Sequence, residues 1–255
     1  MTRNEILSIR SLQNRNERQQ ASRFVVEGVK GLIELGESDM EVVRIYCVDS
    51  MVKHIPPSLS VHAEVISPKE MSRISSLKTP PGLLATVAIP NFSASAILAS
   101  SASQNNLHPL PFVLVADRVA DPGNLGTLIR TADWFGMRGV FLTPGSTDPW
   151  SPKCVQASMG SIFRVPVTEM QPEDSELITS QKHYALDMQG NDYTLVKWKP
   201  GLIWVGSESH GIKTETNSMQ FEKVHIPSRG GAESLNAGVA GSIVCSEIAR
   251  VWGLN

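Results

Sequence analysis

The sequence predicts an α/β protein: a carboxyl-terminal domain built on a parallel sheet, preceded by a smaller α/β domain. Two observations predict it. From Pro111 onward, apolar strand-like runs alternate with helix-like segments, the order expected of a parallel sheet covered on both faces. Between Asn91 and Pro111 the run NFSASAILASSASQNNLHPLP is rich in Ser, Ala and Asn, a composition that buries little and suits a linker. The expected division is an amino-terminal domain at 1–92, a linker at 93–110 and the sheet domain at 111–255.

The elements are read in chain order. In the first domain Phe24 to Glu27, Val43 to Val48 and Leu84 to Ala88 read as strands, and Lys30 to Gly36 as the clearest helix. In the second, PFVLVADR reads as a buried strand, Leu125 to Phe135 as a helix, GVFLT as a strand, Pro152 to Met159 as a helix and FRVPV as a strand. Glu173 to Lys182 reads as a helix, HYALDM, LIWVG and KVHIP as strands, and Leu235 to Trp252 as a closing helix.

Composition bounds the function. The chain has 255 residues, 41% hydrophobic and 19% charged, as in an ordinary globular protein. A net charge of −2 excludes a uniformly basic nucleic-acid binder but leaves room for a local basic patch. Three well-separated cysteines without a CxxC pair point to a reducing compartment and no structural zinc. The polar start and the absence of an apolar run of about 18 residues make the cytoplasm the expected location, with no membrane span.

In parallel sheets, ligands bind where loops leave the carboxyl ends of the strands. Three loops are informative. The first, DRVADPGNLGTLIRTADWFG, has neither GxGxxG nor Walker spacing, which excludes dinucleotide and ATP loops of those kinds. Leu125, Leu128, Ile129, Ala132 and Phe135 form one apolar stripe, and Arg130 lies on the opposite face in line with Thr127 and Trp134. Arg130 is thus free to point at a ligand or a second chain; pairing with Asp133 or stacking on Trp134 is the plainer alternative. Asn124 is a candidate site residue or simply a helix cap.

The second loop, LIWVGSESHGIK, brings backbone amides and the Glu208 carboxylate to the sheet edge, where Glu208 could alternatively be a first-turn helix carboxylate. A nucleophile elbow at Ser209 is disfavoured because no Asp followed by a distant His comes after it. The third loop, IPSRGGAESLNAGVAG, places Ser234 and Asn236 at the start of the last helix. A cap explains one of them, but not the run of Gly230, Gly231, Ala232, Ala237, Gly238, Ala240, Gly241 and Ser242. Small residues allow close approach of a backbone or a flat ligand.

With all three loops in view, the chain resembles the SpoU (TrmH) family of RNA ribose 2′-O-methyltransferases, within the SPOUT class. DPGNLGTLIRTADWFG is similar to that family's first motif, VGSESHGI to its second and IPSRGGAESLNAGVAG to its third. The resemblance covers residues 111–255, and ILSIRSLQNRNERQQASRFVVEGVKGL resembles the ribosomal-protein-type RNA-binding domain that many members carry at their amino terminus. It departs mildly from the third motif, with Ala237 and Gly238 following SLN.

The resemblance implies a deep trefoil knot, whose threaded segment would account for the small residues, S-adenosylmethionine as cofactor, a homodimer formed through the knotted domain, and no metal. It assigns Asn124, Arg130, Glu208, Ser234 and Asn236 to catalysis. Gly206, Ile226 and Leu235, with Ser234 and Asn236, would bind the cofactor. Because a guanidinium resists deprotonation, Arg130 is expected to hold a phosphate and stabilise the developing oxyanion rather than to act as a base. Arg3, Arg10, Arg15, Arg18, Arg23 and Lys30 against Glu5, Glu17 and Glu27 give the start a net +3, a patch suited to RNA phosphates or a solvated helix. Of these, Arg10, Arg15, Arg18 and Arg23 are the candidate RNA contacts, with Lys153 and Arg229 nearer the site. The extra domain points to large-subunit ribosomal RNA ahead of transfer RNA. A base-methylating SPOUT enzyme and an inactive RNA-binding homologue are the rival readings.

Overall fold

The computed structural model describes residues 1–100, 109–208, 211–213 and 219–253, which fall into two compact units. The first unit comprises Met1–Pro90 and Asp148–Phe163. Its elements are α1 (Arg3–Ser11), α2 (Arg15–Ala21), β1 (Arg23–Glu27), α3 (Val29–Gly36), β2 (Val42–Cys47), β3 (Ala63–Val65), α4 (Pro68–Ile74) and β4 (Leu83–Ala88). The sheet order is β1-β4-β2-β3, antiparallel except for the β2–β3 pair. Thr2 with Glu5, and Ser67 with Glu70, form capping boxes that fix where α1 and α4 begin. Ile6 and Ile9 of α1 and Met71 and Ile74 of α4 close over Val25, Tyr46 and Leu84 of the sheet.

Arg18, expected among the RNA contacts, is instead buried, only 3% exposed. Its Nη1 donates to the Leu12 carbonyl at 2.7 Å, and its Nε donates to the Asp148 carboxylate at 2.8 Å, within an ion pair between the two side chains. Arg10, Arg15 and Arg23 remain exposed. The run of surface charge that reads as one basic face therefore hides an arginine that turns inward to a partner far along the chain.

The second unit comprises Asn91–Thr147 and Arg164–Asn255. It contains α5 (Ala94–Ala99), β5 (Leu110–Asp117), α6 (Pro122–Trp134) and β6 (Met137–Leu142). The chain then gives α7 (Pro152–Ser158) to the first unit, and returns for β7 (Val167–Glu169), α8 (Ser175–Thr179), β8 (His183–Asp192), β9 (Gly201–Gly206), β10 (Phe221–His225) and α9 (Ala237–Val251). The strands form one sheet ordered β10-β8-β9-β5-β6-β7, and every neighbouring pair is parallel.

Three expectations differ from what is observed. The segment read as a linker includes α5, whose Ala94 and Ile97 are buried in the same cluster as Val113, Phe141 and Trp204; a Ser/Ala-rich stretch buries more than its composition suggests. FRVPV is not a strand. Pro166 has no N–H to donate and contributes only its carbonyl, which accepts from the Val140 amide of β6 at 2.9 Å, so the paired register runs from Val167, and Ser161–Phe163 form a 3-10 turn. The helix expected from Glu173 to Lys182 is reduced to a 3-10 turn at Pro172–Asp174 and the short α8.

The position of the site follows from the sheet. β6 lies on one side of β5 and the later β9 on the other, so the strand order reverses at β5. Such a switch point opens a crevice outside the carboxyl ends of the strands. On one face, α9 packs against α6 and β9 through missing side chains: a Cβ on Gly238 would lie 2.8 Å from Thr127 Cγ2, and one on Gly241 2.5 Å from Leu128 Cδ2. Thr131 and Ser242 complete the helix pair with a hydroxyl hydrogen bond of 2.7 Å.

The buried Arg18–Asp148 pair yields a prediction. Asp148→Ala leaves an uncompensated guanidinium and should lower the stability of the whole chain by about 3 kcal/mol. Urea unfolding checks it, and a change below about 1 kcal/mol would show that the pair contributes little.

Candidate active site

α6 begins with Asp121 as its cap, whose Oδ1 accepts from the Asn124 amide at 2.9 Å, followed by Pro122 at the first helical position. The cap is therefore Asp121 and not Asn124. Asn124, in the first turn, has its side chain available for another use, and Asp–Pro at a helix start is the signal that could have shown it.

That use is a three-way polar network. Asn124 Nδ2 donates to Glu208 Oε1 at 2.7 Å. Asn236 Nδ2 donates to the same Oε1 and to Asn124 Oδ1, both at 2.8 Å. Asn236 is also the cap of α9, its Oδ1 accepting from the Gly238 and Val239 amides at 3.0 and 3.3 Å. One asparagine thus performs both jobs that its loop suggests, capping with its oxygen and bridging with its nitrogen. The network draws one residue from each of the three loops. Glu208 Oε2 has no hydrogen bond to the described residues, so one carboxylate oxygen is held by two amides while the other faces outward as an acceptor.

Gly206 is required where it stands. A Cβ there would lie 2.2 Å from the Gly211 carbonyl carbon and 2.4 Å from the Ile212 nitrogen, so the returning backbone covers it directly. Ser207 and Gly211 exchange backbone hydrogen bonds of 3.2 and 2.9 Å, closing the turn that carries Glu208. Gly206 thus packs backbone on backbone. Ser209 lies outside the described residues.

Most of the remaining predicted residues lie in the third loop. Ser234 is exposed there, Leu235 is 45% exposed and Ile226 half-buried. Arg229 is exposed in the same loop, whereas Lys153, exposed on α7, belongs to the first unit. A Cβ on Gly230 or Gly231 would meet nothing within 4 Å, so the smallness of this loop leaves open space instead of filling a contact. The packing role falls to Gly238 and Gly241.

Arg130 is exposed, and no hydrogen bond or ion pair holds it to a described residue. Its plainer partner is taken: Asp133 accepts from Arg164 Nη2 at 2.8 Å and Nε at 3.1 Å. Arg130 stands six residues beyond Asn124, roughly 9 Å along α6 and turned by about 240°, so it is not part of the network.

Other chemistry is sparse. Cys47, Cys154 and Cys245 are buried and form no disulfide, and burial pushes the Cys47 and Cys245 thiols up, away from the thiolate form. Among the described residues no group of three or more His, Cys, Asp and Glu side chains is arranged to hold a metal, and no helix is long and apolar enough to cross a membrane.

The Gly206 contact gives a prediction. Gly206→Ala must displace the Gly211–Ile212 backbone, so the Gly211 amide should exchange with solvent at least about tenfold faster than in the wild type. Hydrogen exchange measured by mass spectrometry on the whole chain reads it, and unchanged protection would contradict the close packing.

Comparison with known proteins agrees with this geometry. Residues 111–246 match the model of the SpoU rRNA methylase family, and residues 3–85 match the MRM3-like substrate binding domain. The 23S rRNA (guanosine(2553)-2′-O)-methyltransferase RlmP of Bacillus subtilis is 28% identical, over 92% of each chain. A TrmH-family structure from Porphyromonas gingivalis is 30% identical with a TM-score of 0.82, covering 98% of this chain and 99% of its own. An rRNA methyltransferase from Sinorhizobium meliloti, solved with S-adenosylmethionine bound, is 26% identical with a TM-score of 0.82, covering 98% and 96%. On the match of its sheet domain together with the three-loop site that the domain carries, this chain belongs to the SpoU rRNA methylase family.

Proposed function

We propose that the protein transfers a methyl group from S-adenosylmethionine to a ribose 2′-oxygen of large-subunit ribosomal RNA. The observation that carries this reading is the network in which Asn124, Glu208 and Asn236, one residue from each loop, converge on a single carboxylate oxygen. Its support from relatives is that RlmP acts on a guanosine of 23S rRNA and a Streptomyces viridochromogenes relative on a uridine of it.

The residues present fit the cofactor. The third loop is exposed from Pro227 to Asn236, so its backbone amides and carbonyls are open to adenosine and amino-acid groups, and half-exposed Leu235 offers an apolar surface for a flat ring. Gly206, Ile226, Leu235, Ser234 and Asn236 would hold it. When bound it supplies a methyl group on a positively charged sulfur, ready for direct displacement. The protein's part is alignment and charge placement. Glu208, anchored through Oε1, offers Oε2 to a hydroxyl donor and so orients the ribose. Asn124 and Asn236 keep that carboxylate in one position. Arg130, always charged, binds the phosphate beside the target ribose and stabilises negative charge as the 2′-hydroxyl proton leaves to water.

Since Arg130 stands apart from the network of its own protomer, the functional particle is a homodimer in which Arg130 of one copy completes the site of the other. The exposed Trp134 on the Arg130 face, and exposed Val239 and Val251 on α9, are the apolar surface such a contact would cover. The carboxyl-terminal segment passing through an earlier loop as a trefoil knot belongs to the same reading. The first unit supplies RNA affinity through Arg10, Arg15 and Arg23, with Lys153 and Arg229 adding phosphate contacts. The protein acts in the cytoplasm. A transfer RNA target, base methylation and binding without activity are the outcomes to be separated by experiment.

Arg130→Ala should lower kcat on unmodified 23S rRNA by about 100-fold while the Kd for S-adenosylmethionine changes less than about threefold. Mixing equal amounts of Arg130→Ala and Asn236→Ala protein should restore about a quarter of the wild-type activity, because half of all dimers are then mixed and each mixed dimer contains one intact site. Labelled-methyl transfer and calorimetry measure these. Unchanged turnover in Arg130→Ala removes Arg130 from the reaction, and no restoration on mixing places Arg130 in its own protomer's site.

A further inference from the structure

Asp117, the last residue of β5, is fully buried, and a carboxylate in such a place must be compensated by its neighbours. The neighbours are specific. Oδ1 accepts from the Thr143 hydroxyl at 2.8 Å, and Oδ2 accepts from the backbone amide of Lys213 at 2.7 Å. The Thr143 oxygen in turn accepts from the Arg118 amide at 3.0 Å. Arg118 is thereby held at φ +52°, a left-handed conformation that a side chain seldom adopts, with its Nε 3.9 Å from Asp117 Oδ1. The strained residue sits between β5 and the Asp121 cap of α6, and so sets the direction in which the first loop leaves the sheet.

The Lys213 amide forms the other half of the tether. The chain leaves β9 at Gly206, carries Glu208, and returns through the Ser207–Gly211 bridge to Lys213. The hydrogen bond to Asp117 ties this return to the end of β5, the strand beside β9, next to Ile212, which packs on the cluster of Val113, Val115 and Trp204. One buried carboxylate therefore joins the loop that presents Asn124 to the loop that presents Glu208.

We infer, on the basis of the cofactor proposed above, that Asp117 is a positioning residue that holds the Glu208 turn against the first loop in the form that binds S-adenosylmethionine, acting through the Lys213 backbone amide. Losing the tether lets the turn move, so cofactor binding weakens; once the cofactor is bound the reacting residues are assembled, and turnover is largely kept.

Three variants test it. Asp117→Ala removes the acceptor. Lys213→Pro removes the donor from an exposed position and leaves the buried carboxylate in place. Asp117→Asn keeps an acceptor for Lys213 and can donate to Thr143, so it should recover most of the loss. Asp117→Ala and Lys213→Pro should each raise the calorimetric Kd and the KM for S-adenosylmethionine about tenfold, with kcat within about threefold, and the double variant should be no weaker than either single one. Should Asp117→Ala fail to fold, Lys213→Pro and Asp117→Asn carry the comparison. An unchanged Kd in folded Lys213→Pro, or losses that multiply in the double variant, overturns the inference. If wild-type protein binds the cofactor and methylates no RNA, the proposed function fails while the Kd comparison still decides the tether. If the wild type binds no cofactor, both fail as stated, and exchange of the Gly211 amide then shows whether Asp117 holds the turn at all.

Discussion

The site depends on how closely α9 lies against α6. Gly238 and Gly241 let the two helices approach until Thr127 and Leu128 occupy the space where side chains would otherwise be. Only at that distance can the residue capping α9, Asn236, reach across to Asn124 in the first turn of α6. Glycine in a helix costs roughly 1 kcal/mol against alanine, so two of them within one turn of α9 need a reason. The polar network at the helix ends supplies it, because a helix displaced outward by a methyl group would separate its partners.

The network also shows how a parallel sheet assembles a site from distant parts of the chain. Asn124, Glu208 and Asn236 are far apart in sequence; Asn124 and Glu208 follow β5 and β9, neighbours at the point where the strand order reverses, and Asn236 is brought to them as the cap of α9, well beyond the edge strand β10. The two asparagine amides satisfy one carboxylate oxygen and leave the other available to a ligand. In the ribose methylation proposed here that acceptor and the exposed Arg130 would divide the work, one orienting a hydroxyl and the other answering a phosphate and a growing negative charge. Asp117 extends the logic below the surface, where a buried charge fixes the loops instead of touching the substrate.

Much of this was legible in the sequence, for reasons that differ from residue to residue. The strands of the parallel sheet stand out because they are buried on both faces and read as unbroken apolar runs, as in PFVLVA and LIWV. Asn124, Glu208 and Asn236 could be named because their three loops resemble the SpoU motifs, and Asn236 as a cap follows from its place before a helix. Arg18 could not be read correctly, since its partner Asp148 is 130 positions away and nothing local distinguishes a buried arginine from an exposed one. Ala94 and Ile97 were hidden in a polar composition, and FRVPV looked apolar enough for a strand although Pro166 has no N–H to give to a ladder. Asp117 drew no notice in the sequence, because its partner at Lys213 is a backbone amide, which has no sequence signal.

The most direct test of the account is the chemical position of the transferred methyl. Purified protein is supplied with unmodified 23S rRNA and labelled S-adenosylmethionine, and the product is digested with alkali. A 2′-O-methyl blocks cleavage at its own phosphate, so the account predicts label in alkali-resistant dinucleotides. Label released in mononucleotides would mean methylation of a base and would contradict the roles of Glu208 in orienting the ribose and of Arg130 in stabilising its oxyanion.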